Sequence, residues 1–345
     1  MSHSTGSAQP SALSHDEVRR NAYRWGAWGV SKLVRSALLL VGASFIIYAT
    51  LRLAPGDVVD LILGLGNSAE DKLALRKEFG LDLGFVGGYI QWALRAITGD
   101  LGQSIKVEVG ADVLEIAAPA FLITLMIAST SLISLIFISY LLAALFGPPK
   151  PRETFLLGPF KLLNAAPSFV IAVCMIKLVN DLVLWWSGGG FINLPWYPLP
   201  QYVRLSDSLI PFIFAVLAIS LGDGLFTDLF NTLRSELSLV QRSLFINAVR
   251  AKGGDPRPHL IKNLIVPTLS VFTARLPLVL SAVVIVEYIF TLDGSGYLLL
   301  QAAKSRDVPV VVGVSLFFIF SVIAMNLILD VVKAIVDPRE VARGE

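Results

Sequence analysis

The sequence predicts an all-helical integral membrane protein with six transmembrane helices. Of its 345 residues, 55% are apolar and only 16% are charged, whereas a soluble domain carries about 25% charged residues. The mean hydropathy of +0.71 excludes an intrinsically disordered chain, because such chains combine low hydrophobicity with high net charge. A surface this poor in charge is stable only when much of it lies in lipid.

Six apolar runs are long enough to cross a bilayer, since a hydrocarbon core of about 30 Å requires about 20 helical residues. They cover residues 33–51, 117–146, 155–184, 209–226, 265–290 and 308–332. The third run is interrupted by Pro167, Lys177 and Asp181. The first run is long for a signal peptide and no convincing cleavage site follows it, so we expect a retained anchor.

The distribution of basic residues predicts that both termini face the cytoplasm. Lys and Arg concentrate in the cytoplasmic loops of membrane proteins. With the N-terminus inside, most of the 28 basic residues fall in the two tails and in the inner loops 147–161 and 227–264. The long segment 52–115 carries more acidic than basic residues, so we expect it to form a large external loop between the first two spans.

Several classes of site are excluded by what the chain lacks. It contains no Gly-Lys dipeptide, so it has no phosphate-binding loop of the GxxxxGK[ST] type. Its single cysteine, Cys174, rules out an internal disulfide framework and a zinc ribbon, and we expect it to be a small core hydrophobe. The net charge of +2 gives no argument for nucleic acid. We therefore expect no catalytic residue, metal or cofactor on this chain.

The inner loop 227–264 carries an apolar pattern of helical period. Leucines recur every four residues along its first part, which predicts that the fourth span continues as a helix into the cytoplasm; they are Leu225, Leu229, Leu233 and Leu237. A short second helix is predicted over 239–252, because Gly253 and Gly254, followed by prolines, form a stop signal. Such a helix suits either a groove in a partner protein or a position on the lipid headgroups, and the residues alone leave both open.

An ordered set of short motifs then points to a family. Asn247-Ala248-Val249-Arg250-Ala251-Lys252-Gly253, with Pro267 beyond it, resembles the EAA loop of ABC-importer permeases, although Asn247 stands in place of Glu and Val249 in place of Ala. Further matching motifs occur at 55–57, 75–82, 99–104, 287–298, 306–311, 326–330 and 337–339. Together they resemble the B-type permease subunit of the dipeptide, oligopeptide and nickel ABC importers.

The resemblance implies the type I ABC importer permease fold in a bacterial inner membrane. It implies a second homologous permease subunit, two cytoplasmic ATPase subunits that bind ATP and Mg²⁺, an external solute-binding protein and surrounding lipid. The chain then divides into a cytoplasmic tail (1–30), the first helix with the external loop (31–110), the permease domain (111–337) and a short C-terminal tail (338–345). The solute, a peptide or a related small molecule, is not named by the sequence.

The resemblance also implies roles for individual residues. The residues expected to couple the permease to the ATPases are Asn247, Ala248, Val249, Arg250, Ala251, Lys252, Gly253 and Gly254. Charges inside spans usually face the bundle interior and mark a pathway or a partner; the expected translocation-path or gate residues are Arg275, Glu287, Asp293, Gly294 and Gly296. For the last three, an ordinary turn is the competing interpretation.

Two other functions remain open at this stage. A self-contained secondary transporter or channel would act alone and would need an acidic pair within its spans. A membrane-embedded enzyme acting on lipid would need a nucleophile or a metal-binding cluster at the bilayer face. The sequence shows neither pattern, so we favour the importer permease, in which the energy comes from other subunits.

Overall fold

The computed structural model describes residues 15–53, 83–147, 165–186 and 209–337, together with residues 59, 70, 73, 76 and 77. Residues 1–14 of the predicted N-terminal tail, the whole predicted C-terminal tail, much of the predicted external loop and the first third of the predicted third span lie outside these residues. Within the described ranges there are ten helices: α1 (His15–Leu53), α2 (Phe85–Ile97), α3 (Val113–Phe146), α4 (Ser168–Trp186), α5 (Ile210–Leu221), α6 (Leu225–Gln241), α7 (Leu244–Ala251), α8 (Arg257–Phe290), α9 (Ser295–Ser305) and α10 (Val308–Val336).

Four of the described helices are long and apolar enough to cross a membrane. They are residues Tyr23–Thr50 of α1, and the whole of α3, α8 and α10. The pair α5 and α6 makes a fifth if it counts as one span. Helix α4 falls in the predicted third span, 155–184, of which 155–164 is not described. Cys174 on α4 is exposed, so the expectation that it is a core hydrophobe is wrong. An all-helical membrane fold is therefore confirmed, whereas the number of six spans stays a prediction.

The helix predicted to follow the fourth span is present as α6, but it is not continuous with α5, because the two helices meet at a bend of 53°. The bend lies at Gly222, Asp223 and Gly224, where Asp223 and Gly224 have left-handed φ values of 55° and 79°. A side chain at Gly222 would place its Cβ less than 3.0 Å from the backbone of Ser168. The Asp223 carboxylate accepts a hydrogen bond from the N–H of Ser168 at 3.2 Å, so the bend also caps the start of α4.

The main core lies between α3, α5, α6 and α8. Fully buried aliphatic side chains such as Leu229 and Leu233 on α6 and Val283 on α8 belong to it. The buried Arg234 joins α6 to the end of α3, since its Nε donates a hydrogen bond of 2.7 Å to the carbonyl of Gly147. A carbonyl past the last turn of α3 is thereby satisfied, as burial requires.

Helices α1 and α2 pack at the edge of this bundle. Tyr48 of α1 and Trp92 of α2 form a small buried cluster with Val312 of α10. At the other end of the contact with α10, Lys32 pairs with Asp330 at 3.0 Å. Helix α1 is therefore fixed to α10 at two points, Lys32 near its middle and Tyr48 near its C-terminal end, and the larger part of its surface is left open.

Candidate functional site

The short helix α7 is the centre of the predicted coupling loop. It covers Leu244–Ala251, so the predicted helix of 239–252 is too long. The difference arises at Ser243, whose hydroxyl accepts the N–H of Ile246 at 3.4 Å and caps the new helix. The N–H groups of Arg242 and Ser243 donate to the carbonyls of Leu239 and Val240, three residues before them. Helix α6 therefore ends at Gln241.

The other end of α7 closes in a Schellman motif. The N–H of Gly253 bonds to the carbonyl of Arg250, and the N–H of Gly254 bonds to that of Val249, both at 2.9 Å. This pair of bonds satisfies two of the last carbonyls of the helix. Gly253 has φ of 76°, a conformation that glycine adopts without the cost that a Cβ imposes. Both ends of α7 are thus held by hydrogen bonds.

One side of α7 is anchored and the other is open. Ile246 is fully buried, and the ring of Phe245 packs edge-on against His259 of α8 with centroids 5.1 Å apart. Leu244, in contrast, is 88% exposed. Of the predicted coupling residues, Val249 is half-buried and the others are exposed, namely Asn247, Ala248, Arg250, Ala251, Lys252, Gly253 and Gly254. The arrangement presents a small, firmly held apolar and basic surface.

Arg275, a predicted path residue, forms an ion pair within the chain. Its guanidinium contacts the carboxylate of Asp228 on α6, and the two side chains are 40% and 38% exposed. A charge near the middle of a bilayer costs about 3 kcal/mol when it is alone, so each residue offsets the cost of the other. The pair joins α6 to α8 on a surface that remains partly accessible.

Glu287, a second predicted path residue, is fully buried near the end of α8. Its carboxylate accepts hydrogen bonds from the N–H of Gly296 at 2.7 Å and of Tyr297 at 3.3 Å. It therefore caps the N-terminus of α9, where a negative charge is favourable. A Cβ on Gly294 would lie less than 3.0 Å from this carboxyl group, and a Cβ on Gly296 less than 3.0 Å from the Val284 backbone. These glycines are needed for close packing, and their role as a gate stays a prediction.

Asp293 and Gly294 also line a cavity of about 310 Å³. Its polar side chains include Glu108 from the segment before α3, and Tyr297 and Gln301 from α9. These residues lie beyond the C-terminal end of α8, while α7 precedes its N-terminal end. Since α8 has 34 residues, the turn with Asp293 and Gly294 and the coupling helix α7 are separated by roughly 50 Å.

The match to a known family follows the same part of the chain. Residues 135–341 match the family described as the binding-protein-dependent transport system inner membrane component. The chain belongs to this family. The matched range contains α7, Arg275, Glu287 and the α8–α9 turn, so every predicted site residue falls within it.

Similar proteins align with this chain over almost its whole length. The oligopeptide transport system permease protein AppB of Bacillus subtilis (strain 168) is 26% identical over 319 residues, which cover 91% of this chain and 98% of that protein. The nickel import system permease protein NikB of Staphylococcus aureus (strain MRSA252) is 28% identical over 319 residues, covering 90% of each. These findings confirm the predicted ABC importer permease over a self-contained transporter. The protein is a multi-pass component of a bacterial inner membrane, and it is a permease subunit rather than an ATPase.

Asp307 is a buried charged residue of the permease that makes a long-range contact. This contact was not predicted from the sequence. It precedes α10, and its carboxylate accepts the hydroxyl of Ser104 and consecutive N–H groups of the segment before α3. Burial alone would raise the pKa of this carboxyl group, but the hydrogen bonds outweigh burial and hold the pKa below its ordinary value of 3.8. Both residues lie in motifs that the sequence had marked, yet nothing in either motif indicated that they meet.

Proposed function

We propose that this permease forms half of a translocation path with a second homologous subunit and is driven by two cytoplasmic ATPases that dock on α7. The observation that carries the proposal is the geometry of α7. It is anchored by Ile246, held at both ends, and open along the face that contains Ala248 and Ala251. Small side chains on such a face allow a close approach by another backbone.

The same geometry supports a mechanism of alternating access. ATP and Mg²⁺ are bound by the ATPases, and closure of the ATPase dimer moves α7. Coupling requires an element that passes a displacement on without deforming. Helix α7 has this property, because its two ends are closed by hydrogen bonds and Phe245 contacts α8 directly. Displacing α7 would thus tilt α6 and α8, which share the Arg275–Asp228 pair.

The topology that fits this mechanism has six spans, with both termini and α7 in the cytoplasm. The excess of basic residues in the loop of α7 supports this orientation. The large loop between the first two spans then faces outward, next to the external solute-binding protein, and the division at residues 30, 110 and 337 follows from it. Surrounding lipid covers the apolar surfaces of the spans.

The transported solute is a peptide or a related small molecule. Two similar proteins are named for oligopeptide transport and for nickel import, so both solute types belong in the first uptake assay. In such a system the external binding protein delivers the solute, and the permease has to accept it once it is released.

The test is purification of the tagged chain from its native membrane, followed by reconstitution into vesicles. We expect a second permease and two ATPase subunits to co-purify, and ATP-dependent uptake to require all of them and the binding protein. Ala251→Arg serves as the control for coupling: the complex should assemble normally, yet ATP should drive no uptake. Solute accumulation by vesicles that contain this chain alone would overturn the proposal.

A further inference from the structure

A cavity of about 400 Å³ lies between α1, α2, α10 and the start of α3. None of the predicted site residues lines this cavity, and none of the described residues that do line it is charged. Its volume falls within the usual range of small-molecule sites, about 300–1,000 Å³. Val41, Ile97 and Phe320 line it and are each more than half exposed, so the cavity opens on the outside of the helix bundle.

The two hydroxyl groups in the cavity wall already have partners. The hydroxyl of Ser44 bonds to that of Tyr89 at 2.9 Å, and the Tyr89 hydroxyl donates to the carbonyl of Val41 at 3.1 Å. A water molecule in a cavity requires about two to four polar partners, whereas an empty space forfeits the dispersion contacts of its lining. The wall therefore favours an apolar occupant over both water and a void.

The cavity has the depth of one leaflet of the membrane. It is bounded by α2 and, at its deepest points on the two neighbouring spans, by Leu40 of α1 and Phe320 of α10. Along the helix axes these two residues lie about 15 and 18 Å from the span ends at Thr50 and Val308. Since the hydrocarbon core is about 30 Å thick, the cavity reaches from one membrane surface to about the middle of the bilayer.

Helix α2 closes the cavity at the level of the lipid headgroups. It crosses α1 at Phe45 and Tyr48, whose rings lie 5.2 and 5.8 Å from that of Tyr89 between centroids. These contacts lie about 3–8 Å before the end of the span at Thr50. Amphipathic helices that rest on a membrane bury their apolar face about 5–10 Å into the boundary of headgroups and acyl chains. Helix α2 has the position of such a helix.

Three sides of α2 have the chemistry that this position requires. Gln91 and Arg95 share one side, where Arg95 Nε donates to the carboxylate of Asp100 at 2.8 Å. Positions two residues away lie on the opposite side, because the helix turns about 100° per residue, and this side lines the cavity with Tyr89, Ala93 and Ile97. A third side is apolar and exposed, and consists of Val86, Ile90 and Leu94. The polar side thus faces water, with the cavity beneath the helix and lipid beside it.

We propose that this cavity binds one acyl chain of a phospholipid from the outer leaflet, with the headgroup at the level of α2. The inference rests on the proposed function, whose topology places the end of α1 at Thr50 on the outside. The chain enters through the mouth at Val41 and Phe320, which continues into the lipid-covered surface of the spans. A bound phospholipid ties α2 to α1 and α10, and so fixes the base of the external loop.

Other occupants fit the cavity less well. A peptide or a metal complex in transit would leave its polar groups unpaired against this wall. A segment of another protein would have to insert side chains about 15 Å below the membrane surface, whereas acyl chains already lie at that depth.

The probe for the experiment is a phosphatidylethanolamine with a diazirine at the end of one acyl chain, because this group cross-links to whatever surrounds the chain. The assembled importer is reconstituted into vesicles that contain the probe, extracted into detergent to remove loosely held lipid, purified and irradiated. Mass spectrometry then identifies the cross-linked peptides. We expect retained cross-links at Ala96 and Leu316, which line the cavity. Cross-links at Leu38, which is exposed on α1 outside the cavity, should form only when the vesicles are irradiated before extraction.

A variant that fills the cavity gives the specific control. Ala96→Phe places a ring in the cavity, and Ala37→Phe is its matched control, because Ala37 is exposed on α1 and does not line the cavity. We expect Ala96→Phe to lower the yield of retained cross-links at Leu316 about tenfold, since the ring takes the space of the chain, and Ala37→Phe to leave it unchanged. Co-purification of the same subunits with both variants shows that neither change acts by unfolding the chain.

Two results would overturn the proposal. The first is the absence of retained cross-links at Ala96 and Leu316 in the native complex, a measurement that needs no variant; absence before extraction as well would indicate that a protein segment fills the cavity. The second is an equal yield in Ala96→Phe and the native complex, which would place the retained lipid elsewhere. Labelling requires neither ATP nor solute, so it can fail while co-purification and uptake succeed, and the reverse.

Discussion

The hydroxyl of Ser104 donates a hydrogen bond of 2.6 Å to the carboxylate of Asp307, which lies 203 residues further along the chain. The same carboxylate oxygen accepts the N–H groups of Ile105, Lys106 and Val107 at 3.0, 2.8 and 2.9 Å. Consecutive N–H groups that converge in this way form an anion-binding nest. Here the anion is a side chain of the permease, so the nest locks the segment before α3 onto the junction of α9 and α10.

Replacement of Asp307 should therefore destabilise the permease strongly. Asp307→Asn keeps the size of the side chain but removes the charge that four donors share. Hydrogen bonds to charged groups contribute about 1.5–3 kcal/mol each, and we expect the free energy of unfolding to fall by about 3 kcal/mol. The measurement is the melting temperature of the purified complex in detergent. Ser104→Ala, which removes one donor, should cost about 1 kcal/mol, and an equal effect of both variants would contradict this account.

The same residue predicts a pH dependence. Because the hydrogen bonds lower the pKa of Asp307 below 3.8, its ionised form stabilises the fold fully above that value. The stabilisation is lost as the pH falls through the lower pKa of the folded state. The melting temperatures of the native chain and of Asp307→Asn should differ by a constant amount from about pH 8 to about pH 5 and should converge below about pH 4. A difference that persists unchanged at the acid end would exclude this carboxylate as the source.

The turn between α8 and α9 should tolerate no side chain at Gly296. A Cβ there would press on the backbone of Val284, which cannot move aside as a flexible side chain could. We expect Gly296→Ala to lower the free energy of unfolding by about 1–3 kcal/mol and to reduce the yield of assembled complex. Gly42→Ala on α1 is the control, since no atom lies within 4 Å of its added Cβ. Equal melting temperatures for the two variants would show that the turn has room to adjust.

The end of α7 offers a test of conformation at Gly253. Its φ of 76° is accessible to Asn at modest cost but is costly for a β-branched residue, by about 1–2 kcal/mol. Gly253→Val should loosen the Schellman turn and reduce ATP-driven uptake, while Gly253→Asn should retain most of it. Both complexes should purify with the same subunits, because no atom lies within 4 Å of the added Cβ. Equal uptake by the two variants would argue that the turn has no part in coupling.

The long apolar helices could be predicted closely from the sequence. The runs 117–146, 265–290 and 308–332 end within a few residues of the C-terminal ends of α3, α8 and α10, because apolar composition determines where a span lies. Helix α1 begins at His15, well before its apolar run, since hydropathy reports the part in lipid and not the length of the helix.

The ends of the shorter helices are set by local signals that are present in the sequence. The leucine pattern of helical period concealed these signals. The Gly-Asp-Gly bend at 222–224 interrupts a leucine pattern of helical period, and Ser243 is a favourable capping residue inside the predicted helix 239–252. The contacts of Asp307 and of Arg275 differ in kind. They join residues 203 and 47 positions apart, and no local rule of helix or turn formation reaches that far.

The pair of Arg275 and Asp228 is the last point that the structure makes testable. Removal of one partner leaves the other charge unpaired in the membrane, whereas removal of both leaves two neutral side chains. We therefore expect Arg275→Gln and Asp228→Asn each to destabilise the complex, and the double variant to lose about 1 kcal/mol less than the sum of the two. Melting temperatures of the four complexes give this coupling energy. The pair of Lys32 and Asp330, 3.0 Å apart between α1 and α10, allows the same cycle with Gln and Asn as a comparison. Strictly additive losses at Arg275 and Asp228 would mean that the two charges do not stabilise each other and are compensated elsewhere in the assembled importer.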